Sequence, residues 1–514
     1  MSKTIIIIGA GLAGLSAALQ AAENGCNVKL VSFLPSERAQ SVMAEGGINA
    51  ALNTKDENDS PEEHFTDTIK AACGLADPNA VWGMTQAAPE LVHWLLKLGV
   101  KFNMSGYDDV DLRNFGGQKK KRTAFAQSDT GKQIMTAMID AVRRKEASGM
   151  VERFSHHSFL TLRLCGNICC GCVIRDEYSQ ETVELPGDAV IVATGGMHGL
   201  FGNTTGSLSN TGEVTAELFR LGVPLANGEM IQYHPTTVKC GGKRMLISEA
   251  ARGEGGRLFA MKDGKQWYFM EEKYPELGNL MPRDITAREI WKVSHESEVF
   301  LDMTEISEEI ISNKLSGLAD DCMTYLHKDI RKEPVSVLPG IHYFMGGILV
   351  DEQHRTPIQN LYAAGECCAQ YHGANRLGGN SLLGALYGGR VAAKSACEQA
   401  DVVDLSCATQ IDFPPASQIS EIKQLNKVMQ ETMGVVRNEN TLLNGIQTVQ
   451  ALTGNLPLLG MAVLKSALAR KESRGAHWRE DYPKSNDDDY LKTTVARFDG
   501  KQIQISFVPV QERR

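Results

Sequence analysis

Thr4-Ile5-Ile6-Ile7-Ile8-Gly9-Ala10-Gly11-Leu12-Ala13-Gly14, with the helical pattern of residues 15–23 and the apolar run 28–32 behind it, decides the fold. The order is strand, glycine turn, helix, strand, the context in which G-x-G-x-x-G carries a dinucleotide-binding meaning. The first glycine permits the tight turn, the second lets backbone approach a pyrophosphate, and the third lets helix and strand pack closely. The unpaired N–H groups at the helix start, about Gly11 to Ala13, then face the phosphates. The second strand ends at Val31-Ser32-Phe33 with no carboxylate until Glu37, which argues against a nicotinamide dinucleotide.

Two later segments return to the same site. Asp188-Ala189-Val190-Ile191-Val192-Ala193-Thr194-Gly195-Gly196 is a second strand running into glycines, and Leu361-Tyr362-Ala363-Ala364-Gly365-Glu366 is a third. Three such elements far apart imply a discontinuous α/β domain of Rossmann-like type, at 1–233 and 343–405. An inserted α+β capping domain occupies 234–342. From residue 406 the chain reads as a C-terminal helical domain, with helices near 420–432, 442–452 and 456–470 and Ser420 as an N-cap. Asp487-Asp488-Asp489 reads as solvated surface.

Length and composition narrow the function. A chain of 514 residues can hold two or three domains. A net charge of −9 excludes a nucleic-acid surface and a basic membrane-binding patch. The apolar run at Ile5 is far short of the ~20 residues of a membrane span and leads straight into a glycine turn rather than a cleavage region. A cytoplasmic protein without direct membrane insertion is expected. Cys165, Cys169, Cys170 and Cys172 do not have ferredoxin spacing. They read as a hairpin of residues 159–164 and 168–174 turning at Gly166-Asn167, not as a metal site.

Five segments carry the chemistry: Gln232-Tyr233-His234-Pro235-Thr236, Ser248-Glu249-Ala250-Ala251-Arg252-Gly253, Met281-Pro282-Arg283-Asp284, His342-Tyr343-Phe344-Met345-Gly346-Gly347 and Ala374-Asn375-Arg376-Leu377-Gly378-Gly379-Asn380-Ser381. Each sets a His, Arg, Thr or Glu beside Gly or Pro. Together they could grip two carboxylates and deliver a proton between them. With the nucleotide-binding start, this set resembles the flavoprotein subunit of fumarate reductase and succinate dehydrogenase, from the N-terminus to about Thr494.

The resemblance implies FAD as cofactor and hydride transfer between flavin N5 and a C4 dicarboxylate. Ala44-Glu45-Gly46-Gly47 matches the family's flavin-wrapping loop. Members with covalently bound FAD have a histidine five residues before that glutamate, where this chain has Gln40 followed by Ser41, so FAD is expected to be non-covalent and fumarate reduction favoured. The remaining cofactor contacts implied are Ser32, Ala193-Thr194-Gly195, Glu213 (where the family usually has Asp), Glu366 as ribose partner, Arg376, Gly379, Ser381 and Leu382. His234 and Thr236 would hold one substrate carboxylate, and His342 and Arg376 the other. Arg283 maps onto the family's proton donor, with Arg252 and Glu249 completing a relay.

L-aspartate oxidase is the nearest alternative. It has a glutamate before a Gly-Gly pair to meet the substrate's ammonium, whereas this chain has Phe115 before Gly116-Gly117. Phe cannot neutralise an ammonium but can pack on a carbon–carbon double bond. A non-catalytic FAD-binding assembly protein is the remaining alternative, and the presence of Arg283, Glu249 and Arg252 speaks against it. The chain supplies no iron–sulfur or haem ligands, so electrons are expected from a separate iron–sulfur subunit or a small donor.

Overall fold

The run of isoleucines is apolar at every position because both faces of its strand are covered. A computed structural model describes residues 2–106, 109–401, 411, 413 and 418–513. In it Thr4–Ile8 is the middle strand of a five-stranded parallel sheet. The order is Leu361–Ala363, Ala189–Val192, Thr4–Ile8, Asn27–Ser32 and Val151–Ser155. Ile6 pairs with Val190 on one side and Lys29 on the other. Strands buried on both faces read as continuous hydrophobic runs rather than alternating ones. Segments beginning at Ala189 and Leu361 thus lie in one sheet with the first strand, as the three glycine-ending segments predict.

The turn requires its glycines. Gly9 has φ +111°, and a Cβ there would collide with the Ala193 carbonyl, while a Cβ on Gly14 would collide with the carbonyl of Gly9. The helix that follows, Leu12–Glu23, starts three residues earlier than the apolar periodicity suggests. It packs along Asn380–Gln399, where Gly389 leaves room for the Ala13 carbonyl.

The strands Ile231–Cys240 and Leu338–Phe344 carry the chain into and out of the segment 234–342. With Lys243–Leu246 they form one antiparallel sheet, and a second sheet holds Arg257–Lys262, Lys265–Trp267, Val299–Asp302 and Val335–Ser336. The helix Arg283–Val293 lies against Ile231–Cys240. Its N-cap is Pro282 with no capping side chain, so Arg283 opens the first turn.

The expected cysteine hairpin forms as His157–Cys165 and Ile168–Asp176, turning at Gly166 with φ +59°. Cys169 and Cys172 pack with Ile6 and Ile8 in an apolar cluster, where burial pushes the Cys169 thiol up to about 12. Cys165 is disulfide-bonded.

The C-terminal part departs from a purely helical expectation. Ile419–Thr432, Glu439–Val449 and Asn455–Ala469 are helices, but the strands Lys492–Phe498 and Ile503–Pro509 follow. They extend a sheet shared with Leu225–Ala226, Gly347–Leu349 and Cys368–Ala369. Alternation of the short run 492–498 was masked by its polar residues. The first helix is capped by Gln418 and Glu421 in a reciprocal capping box, not by Ser420, which lies inside it. The expected boundary at 405/406 lies outside the described residues. The acidic run Asp487-Asp488-Asp489 is exposed, as expected, with Asp487 accepting a hydrogen bond from Arg474 at 2.5 Å.

Candidate active site

A cavity of about 560 Å³ is lined both by the glycine turn and by the seam between Ile231–Cys240 and Leu338–Phe344. Its cofactor-like end collects almost every residue expected there. Gly9, Ala10, Gly11, Leu12 and Ala13 line it, with Ser32 from the second strand and Gln40, Ser41, Ala44, Glu45, Gly46 and Gly47 from the loop. Ala193, Thr194, Gly195, Glu213, Glu366, Arg376, Gly379, Ser381 and Leu382 complete this wall. Gly14 does not line it, because its place is against the Gly9 backbone.

Several observations fit a ligand with phosphates and ribose hydroxyls here. The helices Leu12–Glu23 and Asn380–Gln399 both begin at the wall and have no acidic residue in their first turns, leaving their N-terminal amides to an anion. Ser32 Oγ and Glu45 Oε2 are buried without a protein partner, a condition that costs free energy unless a ligand or water answers it. Glu366 Oε1 accepts from Phe344 N–H at 3.1 Å, with His198 Nε2 3.5 Å away. Burial, with Asp321 adding, raises the Glu45 carboxyl to about 8. Gln40 stands in the short turn Gln40–Met43 and lines the cavity with an amide.

The other end is built from buried charge. Arg283 donates from Nε and Nη2 to Glu249 Oε2 at 2.9 and 2.6 Å and from Nη1 to Gln232 Oε1 at 3.1 Å. Glu249 Oε1 accepts from the Gly116 amide at 3.1 Å. Arg252 Nη2 lies 3.5 Å from Glu249 Oε1, an ion pair without hydrogen-bond geometry, while its Nη1 donates to the Asn279 carbonyl at 2.6 Å. Burial alone would raise the Glu249 carboxyl, but Arg283 and Arg252 hold it below its usual value. It is an anion tied to two cations. Gln232 also donates to the Arg376 carbonyl at 2.8 Å, linking the two arginine segments.

His234 and His342 stand with ring centroids 5.2 Å apart. Burial and the nearby Arg283 hold both well below the usual histidine value, so both are neutral. Thr236 N–H approaches His234 Nδ1 at 3.3 Å; the Thr236 carbonyl, 3.1 Å from the same nitrogen, already accepts from Ile247. The amide is the group still in need of a partner, so we assign Nδ1 as acceptor and the proton to Nε2. His234 Nε2 has no protein partner. Arg376, whose guanidinium lies 4.4 Å over the Tyr343 ring, also has an unpartnered Nε. Phe115 is buried, its ring against Gly46 and Gly378.

His234, Glu249, Arg283, His342, Arg376 and Phe115 are thus brought to one cavity. Thr236 and Arg252 do not line it. The Thr236 hydroxyl donates to the Ile247 carbonyl at 2.9 Å, so its contact is with His234 rather than with the cavity. Arg252 stands behind Glu249. Thr205, Ser207, Arg244, Asp321 and Tyr325 also line the space and were not anticipated. The polar run Asn203-Thr204-Thr205 beside Gly206 was the available signal for Thr205; nothing in its local sequence marks Arg244.

A parallel-sheet dinucleotide cradle opening onto buried arginines and neutral histidines defines an FAD-dependent oxidoreductase. Comparison with known proteins narrows this. The family described as FAD binding domain matches residues 4–382, and that described as fumarate reductase flavoprotein C-term matches 452–514. The succinate dehydrogenase flavoprotein subunit of Bacillus subtilis is 38% identical, covering 99% of this chain and 98% of the relative. The 8-methylmenaquinol:fumarate reductase flavoprotein subunit of Wolinella succinogenes is 31% identical, over 100% of this chain and 92% of its own. A solved mutant of E. coli quinol fumarate reductase FrdA superposes with a TM-score of 0.90 at 27% identity, over 100% and 97% of the two chains. The chain belongs to the succinate dehydrogenase/fumarate reductase flavoprotein family and is an FAD-dependent oxidoreductase of that type.

Proposed function

We propose that this flavoprotein interconverts fumarate and succinate, with fumarate reduction favoured. The observation that carries the reading is Arg283, buried, tied to Glu249 and open to a cavity whose histidine Nε2 and Arg376 Nε lack partners. Buried donors left without protein partners are suited to a dianion. His234 donates from Nε2 to one carboxylate. His342 and Arg376 take the other, and Thr236 acts through the His234 ring.

FAD, when bound, supplies or accepts the hydride. The chain's own residues then handle charge and proton. Arg283 gives a proton to the substrate carbon on one face. Glu249, hydrogen-bonded to Arg283, returns it, and Arg252, 3.5 Å behind Glu249, closes on it to pass protons on. Phe115 fills the wall beside Gly46 and presents no charge to an ammonium, which disfavours the aspartate oxidase alternative. Gln40 leaves the cofactor unlinked, and the lower flavin potential that follows favours donation to fumarate. A separate iron–sulfur subunit or small donor delivers electrons. Among the described residues no helix is long and apolar enough to cross a membrane, so membrane association would come through partner subunits. Anaerobic assays with reduced viologen and fumarate, with succinate and an artificial acceptor, and with L-aspartate test this. Faster aspartate oxidation than fumarate reduction would replace it with the oxidase reading.

A further inference from the structure

His342 faces the cavity with one ring nitrogen, because the other is taken. Thr205 Oγ1 lies 2.8 Å from His342 Nδ1. A neutral imidazole offers one donor and one acceptor, so the partner at Nδ1 decides what Nε2 presents to a ligand. Two arrangements satisfy the contact. Either the threonine hydroxyl donates to Nδ1 and Nε2 carries the proton, or Nδ1–H donates to the hydroxyl and Nε2 presents a lone pair. The second would send the hydroxyl proton to the Ile341 carbonyl, 3.4 Å away and already accepting the Thr205 amide at 3.0 Å. Both use the short contact, and the second adds only the long bond to a carbonyl already engaged. The first turns a donor, not a lone pair, toward a dianion, and that decides between them.

We propose that Thr205 is a positioning residue that commits His342 to the Nε2–H tautomer and so makes it a carboxylate donor. This rests on the dicarboxylate reading of the site and deepens it. His234 needs no such side chain, since the Thr236 amide already occupies its Nδ1. The two histidines are therefore held in the same tautomer by different means, one by backbone and one by a hydroxyl that mutation can remove.

The loop bearing Thr205 is itself fixed from three directions. Its amide is bonded to Ile341, Thr204 O accepts from the Arg244 amide at 3.1 Å, and Thr204 Oγ1 lies 3.1 Å from His198 Nδ1. His198 Nε2 in turn lies 3.5 Å from Glu366. A chain of contacts thus runs from the expected ribose partner, across the 3.5 Å approach to His198 and through the hydrogen-bonded 204–205 loop, to the substrate histidine. The burial that keeps His342 neutral is reinforced by Arg283, Arg376 and His198, so the ring does not escape the choice of tautomer by taking up a second proton.

The test compares Thr205→Val, which keeps shape and β-branching, with Thr205→Ser, which keeps the hydroxyl, both as FAD-loaded protein. Flavin content and melting temperature report folding, calorimetry with malonate reports binding, and 15N-histidine NMR, assigned with His342→Gln, reports the tautomer. The wild type shows His342 as Nε2–H. Thr205→Val weakens malonate about tenfold, in line with a lost buried hydrogen bond, and raises KM for fumarate more than it lowers kcat. Thr205→Ser stays within about twofold of wild type. An Nδ1–H tautomer in the wild type, or unchanged malonate affinity in Thr205→Val, overturns the proposal. A wild type that shows Nε2–H yet binds no malonate overturns the dicarboxylate reading while upholding the hold of Thr205 on the ring.

Discussion

Replacing Arg283 with alanine separates two quantities that the site combines, the stability of a buried carboxylate and the delivery of a proton. Arg283 gives Glu249 two hydrogen bonds, at 2.9 and 2.6 Å. Without them Glu249 retains the Gly116 amide at 3.1 Å and an arginine 3.5 Å away in poor geometry. Removing one partner of a buried ion pair costs ~3–5 kcal/mol. With Arg283 gone, burial pushes the Glu249 carboxyl upward against Arg252 alone, and its protonation at lower pH relieves part of this cost. The Arg283→Ala protein should therefore be less stable than wild type at pH 8 and recover as pH falls toward 6. Adding Glu249→Gln removes the stranded charge and should restore most of the lost stability at pH 8. It should not restore catalysis. Loss of a positioned acid lowers turnover by ~10²–10⁴, and we expect at least ~10³ in viologen-linked fumarate reduction for the single and the double variant, ~4 kcal/mol of barrier. Melting curves followed by flavin fluorescence at pH 6 and 8, with anaerobic turnover of the same samples, decide both points. More than a tenth of wild-type turnover in Arg283→Ala would place the proton elsewhere. A double variant no more stable than the single one would refute the stranded-carboxylate account.

Three further outcomes follow from the site. With Gln40 at the linking position, trichloroacetic acid should release all the FAD, and yellow colour left on the precipitate would contradict this. With Phe115 in the wall and clamps for two carboxylates, fumarate should be reduced by a viologen and little by NADH, malonate should inhibit, and L-aspartate should be a poor substrate in steady-state assays. Glu45→Gln should stabilise the protein in a pH-dependent way. Burial holds this acid neutral up to about 8 against an ordinary 4.5, so the folded state binds the proton more tightly and stability falls as pH rises between those values. Denaturation midpoints should show little gain from the substitution at pH 5 and at least ~1.4 kcal/mol at pH 8; equal gains at both would refute the assignment.

The parts of this molecule legible in its sequence were those in which one segment carries a complete physical requirement. Gly9 and Gly14 are needed by contacts within a strand–turn–helix unit and one neighbouring strand, and four successive isoleucines announce a strand covered on both faces. Glu249 and Arg252 share a helical turn, so their partnership follows from spacing. Arg283 was legible through its neighbours Met281-Pro282-Asp284, as part of a family pattern. Thr205 and Gln232 were not given roles, because each acquires its meaning from a residue more than 50 positions away. Thr236 was placed against substrate, yet a bulge in its strand turns its hydroxyl to Ile247 and its amide to His234. The closing hairpin escaped notice because its first strand opens on Lys492-Thr493-Thr494 and exposes Arg497, its second has no buried residue, and its pairing partner, Leu225–Ala226, is only two residues long.

That hairpin bears on how the protein is made. Thr494 donates its amide to Asn227 and its hydroxyl to Glu229, and Glu229 also receives Arg470. The ribosome releases residue 229 long before residue 494 exists, so this buried glutamate must wait for about half the chain, exposed or held by other means, before its partners arrive. The central sheet is likewise incomplete until Leu361–Ala363 has emerged. A nascent chain cannot enclose its nucleotide early by folding from the N-terminus alone. Closure of the scaffold is therefore a late event, and tight retention of FAD waits for the segment that carries Leu361–Ala363 and the cavity residues up to Ala385.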